Sequence, residues 1–268
     1  MSGERLERCW GVAEDGASIE VALRAHLLDE LDRRWPPVGL RRSSEPHDPV
    51  LGRLGLSDRW LIVPDREPSG DSPPPVAWDL LESELSLFAA SRLTPRAAVH
   101  SAAIAHNGSV LVVPATSEGG KSTLALAAHR AGATVLSDEY TLIDPATGLV
   151  TGWHRPLRQR LDDGSVVRHD VAVSSDPLPV GLIAAVAYDP VAGDDWQPIS
   201  AAQATVELIG HMLCSRTRPD DALDAALALT RAATAVAGTR GDADRAIALL
   251  LDRLDAEVRS TRSRDGGR

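Results

Sequence analysis

Val110-Leu111-Val112-Val113-Pro114-Ala115-Thr116-Ser117-Glu118-Gly119-Gly120-Lys121-Ser122-Thr123, followed by Leu124-Ala125-Leu126-Ala127-Ala128-His129-Arg130-Ala131, decides the fold. The apolar run predicts a strand buried on both faces, the glycines a tight loop, and the Ala/Leu run a helix that Gly132 caps. Strand, Gly-rich loop and helix in this order make a phosphate-binding loop: backbone N–H groups and a helix N-terminus surround phosphate oxygens, Lys adds a point charge, and a Ser or Thr hydroxyl can ligate Mg²⁺. Those roles fall to Gly119, Gly120, Lys121 and Ser122. The full motif would place its first Gly at position 115, where this chain has Ala115, and Glu118 adds a carboxylate beside the loop.

Lys121 is singular in composition as well as in place. Of 28 basic residues it alone is Lys, and all others are Arg. A compact ammonium fits beside the β and γ phosphates where a planar guanidinium does not, so this is the position at which Arg could not replace it.

Outward from the loop, Ala97 to His106 predicts a strand joined to the next by the hairpin turn Asn107-Gly108, and Asn107 is the only Asn in the chain. Asn-Gly accepts the positive φ values that such a turn needs. Ala133 to Leu136 predicts a strand ending at Ser137-Asp138-Glu139. Acidic residues at the end of a strand stand where a P-loop protein orders magnesium and the attacking group. Trp153 to Arg160 forms a basic cluster, in which Arg155 is either part of a solvated face or a clamp for a transferred phosphoryl group.

The chain has 268 residues, 43% hydrophobic and 25% charged, which predicts a folded α/β protein of one or two domains. A net charge of −10 and only 3% aromatic residues argue against nucleic acid or membrane surfaces as partners. No apolar run approaches a spanning length, and the expected location is cytoplasmic. Cys9 and Cys214 lack metal or redox spacing and are expected to be reduced. Trp60 to Pro64 predicts a short strand, Asp65 to Pro75 a linker, and Trp78 to Arg92 a helix closed by Thr94-Pro95. Val180 to Tyr188 predicts a strand, and Ala201–Cys214, Asp220–Ala237 and Asp242–Val258 predict helices.

His100-Ser101-Ala102-Ala103, the hairpin, Ser117-x-Gly119-Gly120-Lys121-Ser122-Thr123-Leu124 and Leu136-Ser137-Asp138-Glu139 resemble, in order and spacing, the C-terminal catalytic domain of HPr serine kinase/phosphorylase. The likeness covers roughly residues 96 to 145, with Arg155-Pro156-Leu157 as an extension. Glu139 stands where that family has a second Asp, the Gly-rich segment after the acidic pair is missing, and residues 1–75 do not match the family's N-terminal domain. The reduced form resembles kinases encoded beside peptide-modifying enzymes, including lasso-peptide kinases.

The resemblance implies an α/β P-loop mixed sheet related to phosphoenolpyruvate carboxykinase, with a small α+β N-terminal lobe and a helical C-terminal region. The expected boundaries are 1–75 for lobe and linker, 76–200 for the nucleotide-binding kinase core, 201–258 for the helical region and 259–268 for a disordered tail. It implies ATP and Mg²⁺ as cofactors and phosphoryl transfer to a hydroxyl of a peptide, a protein serine or a small molecule. The expected nucleotide contacts are Ser117, Gly119, Gly120, Lys121, Ser122 and Thr123, the metal contacts Ser122 and Asp138, and the catalytic residues Asp138, His100, Glu139 and Arg155. The alternative is a nucleotide-binding regulatory or scaffold protein without transfer. The sequence is compatible with a homo-oligomer.

Overall fold

The computed structural model describes residues 6–56, 61–62, 74–115, 120–161, 166–171, 174 and 176–265. The chain is mixed α/β and divides into two compact units, Met1–Thr94 and Pro95–Arg268. No described helix is long and apolar enough to cross a membrane.

The first unit contains β1 (Leu6–Ala13), β2 (Ser18–Arg24), α1 (Leu28–Arg33), β3 (Leu40–Ser43), β4 (Val50–Leu56), β5 (Leu61–Ile62) and α2 (Pro74–Ala90). Its sheet runs β3-β1-β2-β4-β5. Ile19, Val21 and Leu23 alternate along β2 and are buried, as are Leu81, Leu85 and Ala89 at four-residue spacing on α2, so a period-2 strand face and a period-3.6 helix face supply its core. Of the predicted Trp60–Pro64 strand, Leu61–Ile62 pairs with β4, and the rest lies outside the described residues. Two expectations need correction. Pro74 and Pro75 open α2 rather than belonging to a linker, because the first helical turn makes no use of the N–H that proline lacks. Consequently the division falls at 94/95 and not at 75/76, with α2 in the first unit.

The second unit contains β6 (Ala97–His106), β7 (Ser109–Pro114), α3 (Lys121–Arg130), β8 (Thr134–Ser137), β9 (Tyr140–Ile143), β10 (Leu149–Gly152), β11 (Leu157–Arg160), β12 (Val166–His169), β13 (Leu178–Tyr188), β14 (Asp195–Pro198), α4 (Ala201–His211), α5 (Pro219–Thr230), β15 (Thr234–Arg240) and α6 (Ala243–Asp265). Its main sheet runs β10-β9-β6-β7-β13-β15-β14, with β8 also paired to β6. The β6–β7 turn has Asn107 at φ 50° and Gly108 at φ 80°, as the dipeptide predicts.

Leu111 and Val113 face one core with α3 and α6, whereas Val110 and Val112 face the other with α4 and α5. Helices on both faces explain why β7 is apolar throughout instead of alternating with polar residues. The C-terminal region is not wholly helical. Residues 234–240, expected to continue a helix through Ala237, form β15, parallel to β13 and next to the edge strand β14. Nor is 259–268 a disordered tail throughout, since α6 extends to Asp265. Cys9 and Cys214 are buried free thiols, whose pKa values burial raises.

β7, β13 and β15 run parallel, and β8 shares their direction because both β7 and β8 are antiparallel to β6. Their carboxyl ends, Pro114, Tyr188, Arg240 and Ser137, therefore lie at one edge of the sheet, where open α/β sheets bind ligands.

Candidate active site at the carboxyl edge of the central sheet

Strand β6 aligns the two halves of the site. It pairs with β8 around Ala103 and with β9 around His100, and between these pairings the chain crosses through Asp138 and Glu139. Ser137 Oγ accepts the Glu139 N–H at 3.0 Å and the Tyr140 N–H at 3.1 Å, fixing this two-residue step. The Ser101 N–H donates to the Glu139 carbonyl at 3.1 Å, while the Ala115 N–H donates to the His100 carbonyl at 3.3 Å. One short piece of β6 thus holds the acidic pair on one side and the start of the 115–121 loop on the other.

Thr116, Ser117, Glu118 and Gly119 lie outside the described residues. At the far end of the loop Gly120 is in the left-handed conformation, φ 74°, and α3 starts at Lys121. Lys121 is buried and its Nζ donates to the Ala115 carbonyl at 3.0 Å, closing the loop across its mouth. Ser122 Oγ donates to Asp138 Oδ2 at 2.6 Å. The start of α3 and the residue after β8, 16 positions apart in sequence, therefore share one hydrogen bond. Thr123 is on α3 next to this pair, with its side chain exposed.

Asp138 is buried, and its Oδ1 receives no hydrogen bond among the described residues; its cationic neighbour is Arg155 Nε at 3.7 Å. Arg155 also forms a close ion pair with Glu139 Oε2. This arginine arrives because Gly152 lies so tightly against the Leu136 carbonyl that a Cβ would collide with it. The next residue, Trp153, is buried edge-on to Tyr140 at 5.4 Å between ring centroids, and its N–H donates to the Tyr140 carbonyl at 3.1 Å. Arg155 thus serves the carboxylates rather than a solvated face. Arg158 and Arg160 instead lie on β11, part of the separate β11–β12 hairpin.

His100 packs against Tyr140, 5.8 Å between ring centroids. Burial, reinforced by the charges of Lys121, His211 and Arg155, pushes its pKa from 6.5 to about 4, so its imidazole is neutral at pH 7. Burial also lowers the Lys121 pKa, and the Glu139 and Asp138 carboxylates oppose that shift.

Among the described residues no group of three or more His, Cys, Asp and Glu could hold a metal. Mg²⁺ beside a nucleotide needs no such group, since it keeps waters and takes one or two protein oxygens together with the phosphates. Ser122 Oγ and Asp138 Oδ1, which accepts no hydrogen bond among the described residues, are hard oxygen donors of the kind it takes, so the residues fit the ion.

Sequence reasoning missed Arg240, buried at the end of β15 and hydrogen-bonded to the Gly120 carbonyl at 3.2 Å, and Trp153. A signal for β15 exists in Thr234-x-Val236 and Gly238-Thr239, but its alanines obscure it. An open depression lined by Asp194, Asp195, Trp196, Leu249, Asp252 and Arg253 includes none of Lys121, Ser122, Asp138, Glu139 or Arg155. No protein-family model matches the chain, and no curated protein matches it.

Proposed function

We propose that the second unit is a P-loop domain of the HPr kinase-like type and that the protein is a Mg²⁺- and ATP-dependent phosphotransferase. The acceptor is a hydroxyl of a peptide, a protein serine or a small molecule. The observation that carries this reading is the 2.6 Å hydrogen bond between Ser122 and Asp138 beside buried Lys121 at the carboxyl edge of the sheet. A hydroxyl at the second position of a helix, an adjacent buried carboxylate and a buried lysine at the helix start are the kind of donor set that a nucleoside triphosphate site uses.

In this reading the amides at the start of α3 and the Lys121 ammonium hold the phosphate oxygens, and Lys121 exchanges its bond to the Ala115 carbonyl for a stronger, charge-assisted one. When bound, Mg²⁺ neutralises charge on the β and γ oxygens; Ser122 and Asp138 are the residues to hold it. Asp138 or Glu139 accepts the proton of the acceptor hydroxyl. Arg155, released from part of its ion pairing, offers its guanidinium to the transferred group. Neutral His100 adds no cation to the site, and its ring fixes Tyr140 and the step beneath the acidic pair.

One observation favours the alternative of nucleotide binding without transfer. Arg155 lies against both Asp138 and Glu139, so both candidate bases are already engaged by one guanidinium. Calorimetric titration with ATP, ADP and GTP in Mg²⁺ tests the shared part of the two readings. Incubation with γ-labelled ATP and a panel of peptide and small-molecule hydroxyls separates them: label transferred to an acceptor supports the kinase, and tight binding with no transfer supports the regulator. Absence of binding below the millimolar range for every nucleotide rejects both.

A further inference from the structure

Arg240 is only 3% exposed, and two backbone carbonyls accept from its guanidinium. Its Nη2 donates to the Gly120 carbonyl at 3.2 Å and its Nη1 to the Gly241 carbonyl at 3.1 Å. The Gly120 carbonyl also accepts the first hydrogen bond of α3, from the Leu124 N–H at 3.0 Å. One oxygen with two lone pairs therefore ties the helix to the guanidinium. The surroundings hold Arg240 in place. The Tyr188 ring lies 5.1 Å from its guanidinium, the Asp189 N–H donates to its carbonyl at 2.8 Å, and the Gly241 N–H donates to Asp194 Oδ1 at 2.9 Å. A Cβ at position 120 would collide with the guanidinium, so glycine there suits both the positive φ and the space.

This arrangement is costly by itself. A helix N-terminus carries partial positive charge and favours anions, whereas here a guanidinium and an ammonium are both buried beside it. Burial lowers the pKa of each cation, the mark of charge held out of water. The gain lies in peptide geometry. A trans peptide is planar, so the Gly120 carbonyl and the Lys121 N–H lie in one plane and point in opposite directions. Gripping the oxygen, which points into α3, aims the N–H out of the N-terminal end of the helix.

We propose that Arg240 is a positioning residue of the phosphate loop: by holding the Gly120 carbonyl it aims the Lys121 amide at the polyphosphate of a bound nucleotide. The inference rests on the nucleotide reading of the site and gives β15 a part in it.

The test is calorimetric titration of Mg²⁺-ADP and Mg²⁺-ATP into the parent, Arg240→Ala and Arg240→Lys, each well below its own melting temperature, with amide exchange followed at Lys121 and Leu124. Arg240→Ala should bind about tenfold or more weakly, equal to about 1.4 kcal/mol. Millimolar guanidinium chloride should restore most of that affinity while equal sodium chloride does not. Exchange at Leu124, which shares the gripped oxygen, should quicken in the variant and slow again with guanidinium. A purely structural role would lower the melting temperature without changing the affinity of the folded protein. Parental affinity in Arg240→Ala overturns the inference and leaves the nucleotide reading standing, whereas a parent that binds neither nucleotide overturns both. If Arg240→Ala does not fold, Arg240→Lys decides: one ammonium cannot span the Gly120 and Gly241 carbonyls as the guanidinium does, so weaker binding with faster Leu124 exchange supports the inference and unchanged values overturn it.

Discussion

Two arginines, one in each unit, sit among carboxylates, and they differ in what surrounds them. Arg34, with a side chain 17% exposed, meets Glu30 across one turn of chain and reaches Asp79 at 3.2 Å and Glu82 at 3.4 Å, with its guanidinium 5.5 Å from the Trp78 ring. Three acids close around one cation and join α1 to α2. Arg155, at 10%, meets Asp138 and Glu139, but one Asp138 oxygen already takes the Ser122 hydroxyl and the other receives no hydrogen bond among the described residues. In the first cluster each acid meets the guanidinium, whereas the second is open in one respect, that Asp138 Oδ1 accepts no hydrogen bond among the described residues. A buried ion pair alone does not mark a site; a buried carboxylate oxygen that accepts no hydrogen bond calls for a further explanation.

The largest effect that would sharpen this contrast is on the open cluster. Asp138→Asn keeps the shape and removes the carboxylate, so transfer measured with labelled ATP on the folded variant should fall about 10²-fold or more. Parental transfer would move catalysis to Glu139. Next, Arg34→Met leaves Glu82 and its neighbours without their shared cation, which should cost about 2 kcal/mol in urea denaturation and leave nucleotide affinity unchanged. A loss of affinity there would erase the distinction between the two clusters. Lys121→Arg should lower turnover about tenfold, or about 1.4 kcal/mol, because a forked, planar cation does not fit the space across the loop mouth. Unchanged turnover in that variant would remove the argument from the sole lysine.

The smallest effect is one of pH. The His100 pKa stands at about 4 in the fold against an ordinary 6.5, so on acidification the unfolded chain binds the proton first. Its contribution is complete above 6.5 and is lost as pH falls toward about 4. His100→Gln should therefore flatten the acid branch of the stability curve by about one proton over that window, as read from urea denaturation at several pH values. An unaltered slope would show that burial, with Lys121, His211 and Arg155 beside it, does not hold the imidazole neutral.

The open cluster was partly legible in the sequence. Gly120-Lys121-Ser122 and Asp138 follow from local constraints, a left-handed glycine and acids at a strand end, and Asn107-Gly108 likewise dictates its own turn. Arg155 could be seen only as part of a basic run, because its selection over Arg158 and Arg160 depends on the close approach at Gly152. Arg240 was illegible, since its partner is a backbone carbonyl 120 positions away. Strand β15 carries alanines that suit either helix or strand, and only its place beside β13 settles the matter. The boundary at 94/95 was hidden for a related reason: α2 belongs with the first sheet by packing, whereas the prolines before it suggested a break.

The step from β8 to β9 sets a limit on how this chain can vary in length. Asp138 and Glu139 occupy a two-residue crossing whose ends are fixed by separate pairings to β6. Losing or gaining one residue there could not keep both pairings in their present register and would move the carboxylate that now meets Ser122. The spacing is thus a reading frame for the site: descendants of this sequence can exchange side chains around the crossing, while insertions and deletions are confined to the loops beyond it.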